Sequence, residues 1–258
     1  MLSQALIIAR KEVLDHVREV RSLWASLLHV LMGPVVVSLV LFSMKNAPRE
    51  KLAAVLTGMT SIFILVSAFV GGMNVAMDML AGERERRSLL PLLLNPVSKS
   101  AVVVGKWLAT SMFAAIGVIV ALVAFALAFG IAGFTLPLFS GRSLFYWGVL
   151  GLLPLAGLAA ALQLTVSTFC RTAKEAQTYL SLLVFAPMGI AMFLVFLAPK
   201  PAWWIFCIPI AGQQALVSAG PDLALRTPFL LLITLWCTAM ALRYCSALLR
   251  RDEIVYGR

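Results

Sequence analysis

Residues 2–22 alternate in a helical rhythm. Leu6, Val13, Val17, Val20 and Trp24 fall on one stripe, and Lys11, Asp15, Arg18 and Ser22 fall on the opposite one. Lys11 and Asp15 stand four apart and can pair along such a helix. A helix this polar on one face does not cross lipid; it lies in the interface, apolar face down. Six long apolar stretches follow, at 23–44, 53–79, 101–131, 145–169, 178–198 and 227–249. Each meets the roughly 20 residues needed to cross a bilayer. The stretch 101–131 is either one tilted helix or a helix with an interfacial elbow at Lys106–Trp107. Pro34, Pro154 and Pro187 fall inside spans, where neighbouring helices can satisfy the freed carbonyls. The connection 199–226 is not polar: Trp203 and Trp204 suit the headgroup belt. Residues 210–219, bounded by Pro209 and Gly220, form either a short helix dipping back toward the membrane or an interfacial loop.

Composition narrows the class. The chain has 258 residues, 62% hydrophobic and 12% charged, whereas soluble domains run near 45–50% apolar and about 25% charged. An ordinary soluble enzyme and a disordered protein are both excluded, and six spans leave no room for a second soluble domain. The formal charge of +10 does not indicate nucleic-acid binding. Lys and Arg cluster at the ends of apolar runs, where anionic headgroups sit. On one side of the membrane the spans place Arg10, Lys11, Arg18, Arg21, Arg84, Arg86, Arg87, Lys99, Lys106, Arg171, Lys174, Arg243, Arg250, Arg251 and Arg258, which is 15 cations against 6 on the other side. The positive-inside rule makes the richer side cytoplasmic, with both termini inside.

Candidate chemistry is sparse. Cys170, Cys207, Cys237 and Cys245 show no metal-ligand spacing and read as small apolar fillers. Met73, Met77 and Met79 have the spacing of helix packing as much as of copper handling. Ionisable groups are nearly absent from the middle of the spans, leaving Asp78, Arg243 and His29 near span ends, with Asn74, Gln163 and Gln177 as the notable uncharged polar groups. No buried midplane acid of the kind a proton-coupled carrier uses is visible, nor any catalytic constellation, cofactor motif or metal site. Gly105-Lys106 is the only Gly-Lys pair and fails the phosphate-loop pattern, since Ser100 replaces the first glycine and Trp107 follows the lysine.

The most informative segment runs over 81–98, AGERERRSLLPLLLNPVS. It is a charged run followed by a short leucine-rich helix. Ser88 can cap its N-terminus, Pro91 falls in its first turn, and Asn95-Pro96 stops it. Such a helix is suited to docking in a partner's groove; the alternative is a solvated loop on the headgroups.

This segment closely resembles the GERERGTLEPLLLTPVS-type stretch of ABC-2 type export permeases, in particular the NatB-like branch that includes sodium-export permeases. Arg10-Lys11-Glu12-Val13-Leu14-Asp15, with Arg18-Glu19 and Arg21-Ser22-Leu23, is similar to the family's amphipathic N-terminal helix. Ile208-Pro209-Ile210 looks like its outer turn-back. Arg87 stands where Gly is frequent in the family, and Leu90 where Glu is frequent. Sodium-exporting members carry a large outer insertion after the first span, where this chain has only 45–52.

The resemblance implies an all-α, polytopic membrane protein. Its parts are an N-terminal amphipathic interface helix (1–22), six transmembrane helices (23–249), a short cytoplasmic coupling helix and a cytoplasmic tail (250–258). It implies a half-transporter in a bacterial-type cytoplasmic membrane, pairing with a second permease copy and exporting a cargo. A separate ABC ATPase subunit would bring the ATP and Mg, with no cofactor in this chain. The expected ATPase-docking residues are Glu83, Arg84, Glu85, Arg86, Ser88, Leu89, Leu92 and Leu93, joined by Lys11, Glu12, Asp15, Arg18 and Arg21 of the interface helix. The alternatives are a non-transporting membrane anchor and a secondary carrier.

Overall fold

The computed structural model describes residues 2–44, 46–88, 91, 97–136, 139, 144–197, 203–219 and 226–250. Within them the chain is a helical bundle without strands. The first helix, α1 (Leu2–Arg18), ends at Glu19, whose φ of −88° and ψ of 73° break the ladder before α2 (Val20–Ser43) begins. Arg21 therefore belongs to the first turn of α2 and not to the interface helix. The helix α3 starts at Arg49, widens into a π-turn over Asp78–Gly82, and ends in one further α-turn, Glu83–Glu85. The helix α4 (Lys99–Ile131) is continuous, so there is no elbow at Lys106–Trp107. Ser98 caps it, its Oγ accepting from the Ala101 amide. A π-helix, Leu144–Leu152, leads into α5 (Leu153–Phe169), which places Pro154 in the opening turn of the regular helix and not inside it. Then come α6 (Ala173–Leu197), α7 (Pro209–Ala219) and α8 (Thr227–Leu248).

Six of these helices are long and apolar enough to cross a membrane. Each reverses the direction of the one before, so α1, the end of α3, the start of α4, the end of α5 and the end of α8 meet at one end of the bundle. Half of α3 and more than half of the α5 segment are buried inside the protein, whereas only about a fifth of α2 and of α6 is. α3, α4 and α5 therefore form the centre. Close approach is allowed by glycine: a Cβ on Gly117 would lie 2.8 Å from the Gly71 Cα, a spacing only small residues permit between packed membrane helices.

Uncharged polar groups join the spans. Asn74 of α3 donates to Ser26 Oγ of α2 at 2.9 Å, and Gln163 of α5 donates to the Phe69 carbonyl of α3. Gln177 is exposed. At the other end α7 is a buried helix and not a loop. Its Gln214 donates to Ser61 Oγ at 2.8 Å, and its Gln213 donates to Thr234 Oγ at 3.1 Å. Ser61 lies twelve residues into α3 from Arg49, about 18 Å along the axis at 1.5 Å per residue. So α7 turns back into the bundle.

Candidate functional site

Most of the expected apolar stripe does not face the protein. Leu6 and Val17 of α1 and Trp24 of α2 are half or more exposed, only Val13 packs inward, and the face of α1 laid on α4 carries Ala5, Ala9, Glu12 and His16. Small side chains decide this: a Cβ on Gly105 would lie 2.8 Å from the Ala5 carbonyl oxygen, so glycine there brings the two helices together. The neighbouring Lys106 is then sealed in completely, at 0% exposure.

Lys106 is the centre of the site. Its Nζ donates to Glu83 Oε1 at 2.7 Å and to Glu12 Oε1 at 3.0 Å. One ammonium thus ties α1, the last turn of α3 and α4 together. Burying a charge costs several kcal/mol unless close partners offset it; here two carboxylates do, and Lys11 Nζ lies 3.7 Å from Glu12 Oε1. Burial on its own would lower the Lys11 pKa, but the Glu12, Asp15 and Glu83 carboxylates outweigh it and the pKa is raised. Burial lowers the pKa of His16, against the pull of Asp78, Glu19 and Glu12.

The structure sorts the residues expected to meet a partner. Glu83, with a side chain only 11% exposed, is turned inward onto Lys106, as is Glu12. Arg84 is half-buried, and its guanidinium donates to the carbonyls of Thr168 and Cys170 at 2.9 and 2.8 Å, where the end of α5 leaves carbonyls without helical partners. Glu85 is exposed and accepts from the Ala173 amide at 2.7 Å, at the start of α6. Arg86 lies 3.5 Å from Asp78. The alternating charges after α3 therefore stitch that helix to α4, α5 and α6. Lys11 and Asp15 pair at 3.5 Å and are exposed; Arg18 and Arg21 are exposed as well.

Arg87 has a φ of 58°, in the left-handed region that glycine adopts without penalty. Its amide bonds the Arg84 carbonyl and the Ser88 amide bonds the Glu83 carbonyl, the paired bonds of a Schellman motif. Ser88 thus closes the end of α3, its Oγ also donating to the Glu83 carbonyl at 3.2 Å. Leu89, Leu92 and Leu93, with most of the leucine-rich helix expected at 88–96, lie outside the described residues.

Sequence reasoning missed Lys106 as a site residue. The available signal was a lone lysine within an apolar stretch, and ionisable groups in such stretches are functional candidates by default. What the sequence withheld was its partners, 94 and 23 positions away.

A bundle of six spanning helices, flanked by an amphipathic helix clamped to the ends of α3 and α4, defines the class of multi-pass membrane proteins. Residues 6–251 match the model of the ABC-2 family transporter protein, and the chain belongs to that family as a multi-pass membrane protein. Over 185 residues it is 38% identical to the ABC transporter permease protein NatB of Bacillus subtilis (strain 168), a match that covers 67% of this chain and 47% of that protein. The chain spans about half the length of the curated relative it matches.

Proposed function

We propose that this chain is the permease subunit of an ATP-driven exporter, that two copies pair in the membrane, and that a separate ATPase subunit docks on the end carrying α1. The observation that carries this reading is the buried Lys106, held by Glu12 of α1 and Glu83 at the end of α3. A partner that moves α1 or the segment after α3 moves both, because the ammonium cannot lose one carboxylate without leaving a charge buried and underpaired. The movement passes directly into α4, which packs on α3 at the Gly71–Gly117 crossing.

The docking surface is then built from the exposed charges around this clamp: Lys11, Asp15, Arg18, Glu85, Arg86 and Arg87. Glu12 and Glu83 are the positioning residues behind it. The excess of Lys and Arg at this end supports its being cytoplasmic. The near absence of charge in the spans fits an apolar or amphipathic cargo better than a bare ion.

The test is purification of the tagged chain in mild detergent, with and without a non-hydrolysable ATP analogue, followed by identification of co-purifying proteins. A stoichiometric ATPase is expected. Its recovery should fall in an Arg18→Glu/Arg87→Glu double variant that stays folded. A folded preparation with no ATPase would contradict the reading and favour the anchor or carrier alternatives. Cysteines introduced at Asn46 and at Ser88 should label from outside and from inside intact cells, respectively; labelling of Ser88 from outside would overturn the orientation.

A further inference from the structure

Two breaks in helical regularity lie side by side at the α1 end. Glu19 interrupts the ladder between α1 and α2, and Asp78 opens the π-turn of α3. π-turns are rare and frequent at functional sites. The imidazole of His16 lies beside both carboxylates, with one ligand-capable atom from each of the three residues within 4.8 Å of the others. We propose that His16, Glu19 and Asp78 form a binding site for a divalent transition-metal cation such as Zn2+.

The chemistry of the donors selects the class. One imidazole and two carboxylates make a mixed nitrogen and oxygen set, which suits Zn2+, Mn2+, Co2+ or Ni2+; Mg2+ and Ca2+ favour all-oxygen shells. Charge points the same way, because two acids beside a neutral imidazole are balanced by a dication better than by Arg86 alone, which reaches only Asp78 Oδ1 at 3.5 Å from an exposed position. The second Asp78 oxygen stays available.

The imidazole is positioned before any metal arrives. His16 is 6% exposed, its ring packs edge-on against Phe113 with centroids 5.3 Å apart, and Nε2 lies 3.1 Å from Ser22 Oγ. The Ser22 hydroxyl can pair with Nε2 as donor or acceptor, and outer partners of this kind orient the ring in metal sites. Glu19 is exposed and Asp78 partly so, which opens a path for the ion and leaves room for water ligands. A bound cation would fasten the α1–α2 junction to the π-turn, a further link beside the Lys106 clamp. The site does not depend on the transporter reading.

The experiment is Zn2+ titration of the chelator-stripped protein in detergent, tag removed, in a Cys207→Ser background that eliminates the exposed thiol, read by competition with a chromogenic chelator. About one Zn2+ per chain is expected. His16→Gln and Asp78→Asn should each weaken binding at least tenfold, on the scale metal sites show when their shells are altered, while Glu50→Gln, exposed at the far end of α3, leaves it unchanged. Glu19→Gln, at an exposed position, serves should a buried substitution fail to fold. Absence of stoichiometric Zn2+ binding by the folded protein overturns the proposal. So does an affinity that Glu19→Gln and His16→Gln leave unaltered.

Discussion

The two ends of the bundle bury polar groups by different means. Among the described residues, only the α1 end buries ions: Lys106, Glu12 and Glu83, with Lys11 close by, beside neutral groups such as Ser167 and Thr168. At the opposite end the buried polar groups are neutral: Gln213, Gln214, Ser61 and Thr234, which hold α7 against α3 and α8. A neutral hydrogen bond contributes roughly 1 kcal/mol net and asks little of its surroundings. A buried ion pair contributes little net stability, yet breaking it is costly. An amide seam thus suits a segment that only has to be held. An ionic clamp suits elements that must move together or not at all, which is what transmission from a docked partner requires.

Removing the ion should have the largest effect. Lys106→Ala leaves two carboxylates facing each other and is expected to destabilise the detergent-solubilised protein by about 3–5 kcal/mol, read as a lowered thermal midpoint and as protease cleavage after α1. A midpoint within a degree of wild type would remove the clamp from the account. Gln213→Ala at the other end should cost about 1 kcal/mol through the lost hydrogen bond to Thr234, whose hydroxyl keeps its bond to the Leu230 carbonyl, and it should leave the ATPase recovery of the parent chain intact. If it abolished that recovery, the division of labour between the ends would fail.

Smaller effects sharpen the local picture. Arg87→Gly should stabilise the end of α3 by about 1 kcal/mol, because the left-handed conformation costs a side chain roughly that much; slower amide exchange at Ser88 would report it. Lys11→Ala should cost only a few tenths of a kcal/mol through the exposed pair with Asp15, and a loss near that of Lys106→Ala would mean that Lys11 belongs to the clamp itself.

Much of the fold was legible because lipid imposes a simple rule. Twenty apolar residues in a row reveal a span, and Pro209 with Gly220 mark the bounds of α7 while leaving helix and loop open. The face of α1 was legible only in part. Its hydrophobic stripe marks a lipid-facing surface, whereas the face packed on α4 was chosen by small residues, Ala5 and Ala9 opposite Gly105. Hydrophobic periodicity cannot report a contact made through smallness. The π-turn over Asp78–Gly82 is equally silent, since one extra residue per turn leaves no mark in an apolar run. In the charged segment 83–88 the sequence displayed the charges but not their targets. Alternating acids and bases read as a solvated face, yet Glu83 and Arg84 face carriers of opposite charge or free carbonyls inside the chain. The family's frequent glycine at position 87 is explained by the Schellman conformation that Arg87 adopts here with φ of 58°.

The central claim is that α1 and the end of α3 are joined through one ammonium. A double-mutant cycle with Glu12→Gln and Glu83→Gln, read as unfolding free energy in detergent, tests it most directly. The two side chains lie on different helices and share Lys106. The account predicts non-additivity of about 0.5–3 kcal/mol, the range for residues in one network. Additive losses would mean that the two carboxylates act independently, and the clamp would not exist.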